Sequence, residues 1–132
     1  MVADKAIAAG RPREAEEMLR VHLTRVLNEV TTKRDVPNDT REAAIQLAIK
    51  LARATGEARW FDYVIDVLSA GQQLVSDALS EELRATLVKV GGIDVARLER
   101  YQVTIRNLPT SFERLRAGQH VDDLLRAAKV RR

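Results

Sequence analysis

The chain has 132 residues, of which 45% are hydrophobic, 31% charged and only 4% aromatic, with a formal net charge of +3. This length and balance fit one globular domain over residues 1–132 and exclude a disordered chain. The absence of cysteine excludes disulfides, thiolate zinc sites and cysteine nucleophiles and fits a cytoplasmic protein, and the longest uncharged run near the middle, residues 67–76, is too short and polar to span a bilayer.

With so few aromatics, the core must be built from Leu, Val, Ile and Ala, which suits close-packed helices better than a sandwich of strands. The charge is uneven along the chain. Residues 97–132 carry nine Lys/Arg against four Asp/Glu, while residues 1–96 are slightly acidic.

In chain order, residues 3–9 form a short alanine-rich segment that stops at Gly10, a residue suited to the left-handed position after a helix. Pro12 opens a helix over 12–31, where its missing N–H costs nothing. Ala15, Leu19, Leu23, Val26 and Val30 line one side of it at a helical period. A loop with Pro37 follows. Asp39 and Glu42 have capping-box spacing and predict the next helix, with Ala44, Leu47, Ala48, Leu51 and Ala52 along one side. Thr55-Gly56 ends that helix, and Glu57 starts another almost at once.

That third helix is the distinctive one. Its polar residues Arg59, Asp62, Asp66 and Ser69 form one narrow stripe, and the rest from Trp60 to Leu68 is apolar. A helix wet on so thin a strip is covered on two sides and therefore central, with the stripe as its solvent face and Arg59 placed to pair with Asp62. After Ser69-Ala-Gly-Gln-Gln the chain restarts as helix either at once or after Ser76 or Ser80, and Gly91-Gly92 stops it. Asp94 caps a helix over 95–107 that buries Leu98, Tyr101 or Val103, and Ile105, and Pro109 closes it. Thr110 and Glu113 form a second capping box before a short helix to Ala117. Gly118 precedes a last helix with Asp122 and Asp123 in its first turn. The expectation is an all-α fold of about eight helices, with no strand and no hairpin turn.

Interior glycines at 10, 56, 91/92 and 118 each separate two abutting helices, and such short links make antiparallel αα-hairpins. Hairpins in series predict a stacked array, and their irregular spacing leaves a right-handed helical bundle as the other arrangement. Gly10, Ala15 and Leu19 resemble the tetratricopeptide turn, in which a glycine is followed five residues on by alanine and nine on by a large apolar residue. Gly56, Phe61 and Ile65 repeat the spacing without the alanine, and Gly91, Ala96 and Arg100 repeat it without the last apolar residue.

The succession Ala-Ala-Gly-Arg-Pro-Arg-Glu-Ala-Glu, Leu-Ala-Arg-Ala-Thr-Gly-Glu-Ala-Arg-Trp-Phe-Asp-Tyr-Val and Val-Gly-Gly-Ile-Asp also resembles a helical region that accompanies forkhead-associated domains in large bacterial signalling proteins. The phosphothreonine-binding sandwich itself is absent from this sequence. The resemblance implies an accessory domain of a longer protein, with no activity to carry over.

Chemistry is scarce. His22 reads as a partly buried helix residue between Met18 and Val26, and His120 stands beside Asp122 and Asp123, whose place at a helix start already explains them. Asp62 and Asp66 would need opposed environments to act as acid and base. Gly91-Gly92 lacks the Lys-Ser/Thr of a phosphate loop. No catalytic residue, cofactor or metal ligand is expected. The residues singled out for a partner are Arg59, Trp60, Tyr63, Arg97 and Arg100, with Trp60 placed either in the core or in a partner groove. The function expected is a non-enzymatic protein–protein interaction or scaffold module that docks a peptide or helix. An array without polar capping helices would also leave an apolar end for self-association. The alternative is a nucleic-acid-binding regulator using residues 97–132, set against the interspersed Glu99, Glu113, Asp122 and Asp123 and the lack of stacking aromatics.

Overall fold

The computed structural model describes residues 9–33 and 35–130. Within them lie six helices, α1 (Pro12–Thr31), α2 (Asn38–Thr55), α3 (Ala58–Ala70), α4 (Asp77–Lys89), α5 (Val95–Arg106) and α6 (Phe112–Val130). No strand occurs among the described residues, only an isolated bridge between Glu57 and Gly91. The all-α class holds, but the count of eight does not. The segment expected over 3–9 lies outside the described residues up to residue 8, and the two helices expected around Gly118 are one.

The reason is visible in α6. Ala117, Val121, Leu124, Leu125 and Ala128 form one continuous buried stripe across Gly118. Burying those side chains outweighs the roughly 1 kcal/mol that glycine costs in a helix interior. At its start, the Arg114 amide donates to Ser111 Oγ at 3.0 Å, so the cap is Ser111 and not Thr110. The capping box at Asp39 does not form either. The helix begins two residues earlier, at Asn38 behind Pro37, with no side-chain cap.

Of the three restarts left open after residue 73, the one behind Ser76 is taken, while the Asp94 cap and the Gly56 turn form as expected. Ser76 Oγ accepts from the Leu79 amide at 3.1 Å and Asp94 Oδ1 from the Ala96 amide at 3.1 Å, which starts α4 and α5. Gly56 takes a left-handed conformation, φ 71°, and lets α3 fold back on α2 within two residues.

The helices form two layers. Along one, α1 packs on α3 and α3 on α5; along the other, α2 packs on α4 and α4 on α6. Successive members of a layer run parallel: Gln46 meets Glu82 and, further on, Arg53 meets Thr86, just as Asp62, Asp66 and Ser69 meet Asp94, Arg97 and Thr104 in turn. Contacts of α1 with α2, α2 with α3 and α5 with α6 join the layers, while α4 and α5, though consecutive, do not pack on each other. Between the layers lies one apolar core that contains Leu23, Leu51, Phe61, Leu68, Leu83, Leu98, Tyr101 and Leu124.

Candidate functional site

Trp60 lies in this core. The ring is only 6% exposed, and its Nε1–H donates to Glu16 Oε2 at 2.6 Å. Tyr63 is buried beside it in an edge-to-face contact, and its hydroxyl donates to the Leu23 carbonyl at 2.6 Å. Burial pushes the Tyr63 hydroxyl well above the usual phenol range. Both aromatics therefore have their polar atoms engaged within the chain, tying α3 to α1.

Glu16 is the hub of that junction. A buried carboxylate is tolerated only when paired and hydrogen-bonded. Besides the indole, it receives Arg59 at 2.5 Å and Arg13 at 3.5 Å, and both arginines also reach Glu57, at 2.7 and 2.5 Å. Burial alone would raise the Glu16 carboxyl. The Trp60 and Arg59 hydrogen bonds and the charges of Arg59 and Arg13 outweigh it and hold the group below the usual glutamate value. Arg59 is thus half-exposed and paired with Glu16 and Glu57, rather than with Asp62 as the helical spacing suggested.

The polar stripe of α3 is not its solvent face. From Asp62 to Ser69 it is the seam against α5. Asp62 is buried and accepts from the Asp94 backbone amide at 3.0 Å; Asp66 pairs with Arg97 at 2.7 Å; Ser69 Oγ lies 3.3 Å from Thr104 Oγ1. Arg97 also reaches Asp94 at 3.1 Å. Burial raises the Asp62 and Asp66 carboxyls above the usual aspartate range, with the Asp94 amide and Arg97 acting in the opposite direction. Of the five residues singled out for a partner, Arg59 sits on α3 and Arg97 and Arg100 on α5, in the same layer. Arg100 is exposed and close enough to Asp66 to lower its carboxyl.

His22 is partly buried, with Nδ1 3.3 Å from an Arg25 nitrogen. His120 engages Asp77, not the neighbouring aspartates: its Nε2 is 2.7 Å from Asp77 Oδ1. Arg116 grips the same carboxylate with two bonds of 3.1 and 2.9 Å, so α4 and α6 are clasped where both begin. Asp122 instead accepts from Gln102 of α5. Among the described residues, no group of three His, Asp or Glu is arranged to hold a metal. Nor is any helix long and apolar enough to cross a membrane.

What sequence reasoning missed is on α6. Phe112 is 69% exposed and Leu115 55%. The signal was there: both fall out of phase with the stripe from Ala117 to Ala128. A scan of family models finds no match for this chain, and neither curated proteins nor solved structures yield a similar one.

Proposed function

We propose that this chain is a non-enzymatic α-helical interaction or scaffold module of a bacterial regulatory or signalling protein, acting in the cytoplasm. The observation that supports it best is the two-layer stacking of αα-hairpins with successive members parallel. That is the geometry by which helical arrays, tetratricopeptide arrays among them, present a rigid extended surface. On this reading exposed Arg100 offers positive charge on the α1–α3–α5 layer, where Arg59 and Arg97 are already paired with carboxylates, and the module works by static presentation, with no moving part. The buried Trp60 and Tyr63 serve by fixing the spacing of α1 and α3.

The nucleic-acid reading draws on exposed Arg100, Arg106, Arg126 and Lys129. It is weakened because Arg97 and Arg116 are engaged by carboxylates and Arg126 lies 3.8 Å from Asp123, which leaves few uncompensated cations for phosphates.

The two separate by experiment. Quantitative affinity capture from a bacterial extract, run with the native protein and with Arg100→Glu, is expected to yield a protein partner depleted by the variant. Duplex and single-stranded oligonucleotides titrated in parallel at low salt are expected to bind feebly. Tight oligonucleotide binding that falls steeply with salt, without a protein partner, overturns the proposal.

A further inference from the structure

Five aromatic side chains are present in the whole chain. Trp60, Phe61, Tyr63 and Tyr101 are buried, each nine-tenths or more. Phe112 is the exception, and Leu115, one turn along the same helix, is exposed with it. Solvated large apolar groups set side by side lose the stabilisation that burial gives elsewhere in the fold.

Phe112 is also held in place. The Arg116 guanidinium lies 5.8 Å from the centre of its ring, within cation–π range. Arg116 is fixed in turn by its two bonds to Asp77, which His120 grips as well. The ring is therefore pre-positioned by a chain of contacts reaching across to α4. Pre-positioned aromatic and arginine side chains are the usual anchors of protein interfaces, because little conformational freedom is left to lose on binding.

The charge around this anchor is positive and partly uncompensated. Arg114 donates to the Arg106 and Leu108 carbonyls at 3.1 and 3.0 Å, and neutral acceptors leave its charge in place. Arg106 is exposed, and no carboxylate pairs with either arginine among the described residues. Glu113 is the one acid of the turn between α5 and α6 and the first turn of α6.

We propose that the start of α6 is a docking site for an acidic amphipathic helix, whose apolar side covers Phe112 and Leu115 and whose carboxylates approach Arg106 and Arg114. This rests on the interaction-module reading and gives it an occupant and a place away from the Arg59–Arg97–Arg100 layer.

The test uses two synthetic helical peptides with an identical leucine stripe, one with a glutamate polar face and one with a lysine face. Each is fluorescently labelled and titrated by anisotropy against the full chain. The glutamate peptide is expected to bind at least about tenfold tighter than the lysine peptide and to weaken with added salt. Phe112→Ala is expected to weaken it by about tenfold or more. Because Phe112 is exposed, its thermal midpoint should stay unchanged, and circular dichroism of the variant checks this. Arg106→Glu should weaken the glutamate peptide and spare the lysine peptide.

Equal binding of the two peptides, or unchanged binding to Phe112→Ala, overturns the proposal. So does a preference for anionic vesicles or oligonucleotides over the glutamate peptide. If Arg100→Glu removes binding while Phe112→Ala leaves it intact, the module reading stands and this site falls. If neither peptide binds and affinity capture yields no partner, both fall together.

Discussion

Glu16 and Trp60 make the fold depend on a pair of residues 44 positions apart. Removing one donor from a buried carboxylate costs more than a neutral hydrogen bond, because the charge stays behind. Trp60→Phe keeps most of the packing and loses the Nε1–H with part of the indole ring, so it is expected to cost about 2 kcal/mol. Trp60→Ala adds a cavity and is expected to cost about 3–5 kcal/mol. Urea unfolding measures both, and a loss below about 1 kcal/mol for the alanine variant would place the ring outside the core.

The acids of the fold then pull its pH dependence in opposite directions. Glu16 has a folded value below its unfolded one, so its contribution is complete above the unfolded value and fades as pH falls through the folded one. Asp62 and Asp66 are raised, so each favours the folded state most at low pH, and that advantage is lost as pH rises from the ordinary aspartate value through the raised one. Glu16→Gln should therefore flatten the acid limb of the stability curve. Asp62→Asn keeps an oxygen for the Asp94 amide while removing a buried charge, so it is expected to leave stability near neutral pH unchanged or higher. A marked loss in Asp62→Asn would show that the charge itself holds the seam.

At the scale of elements, two glycines test opposite rules. Gly56 has φ 71°, and a β-carbon there would meet nothing nearer than the Lys89 carbonyl at 3.8 Å. Gly56→Ala is thus expected to cost about 1–2 kcal/mol through backbone strain alone. Gly118 sits in open space inside α6. Gly118→Ala is expected to raise stability by up to about 1 kcal/mol. Thermal midpoints of the two variants should move apart.

This contrast also explains what could be seen in advance. The α1 stripe, the Asp94 cap and the turn at Gly56 are local features, set within a few residues, and the sequence displays them directly, whereas Ser76 and Ser80 are locally alike as starts for α4. Gly118 looks locally like a stop, and only the stripe beyond it, packed against partners distant in sequence, overrules that. The Arg59–Asp62–Asp66–Ser69 stripe shows a similar ambiguity. A polar strip on a helix has one pattern whether it faces water or meets a complementary strip, and Arg97 and Asp94 lie some 30 residues away. Arg59 went to Glu16 because a buried charge on another helix attracts a guanidinium more strongly than an i, i+3 neighbour already served by a backbone amide. The start of α6 was overlooked because Phe112 and Leu115 stand out only once the buried stripe is known to run on through Gly118.

At the scale of the molecule, the seams are unequal. The hairpin of α5 and α6 is joined to the rest through the polar α3 seam and the α4–α6 contacts, with no packing between α4 and α5. The α2–α3 hairpin, by contrast, is enclosed on several sides. Helices packed on two sides open more readily than a helix enclosed on four. Native-state hydrogen exchange is expected to show α5 and α6 amides exchanging through a smaller opening than those of α3. Arg97→Ala should widen the gap. Uniform protection across all six helices would contradict this order.

The parallel packing within each layer also bears on how the chain is made. Ties between successive members of a layer, such as Trp60–Glu16, Asp94–Asp62, Arg97–Asp66 and Arg116–Asp77, join residues 31–44 positions apart. Among the described residues, no pair of helices more than two apart in order packs together. A chain emerging from the ribosome can therefore complete each contact soon after the second partner appears, without waiting for its own far end. Folding can keep pace with synthesis, one hairpin after another, since both Glu16 and Trp60 precede α6 in the chain and can meet before it is translated.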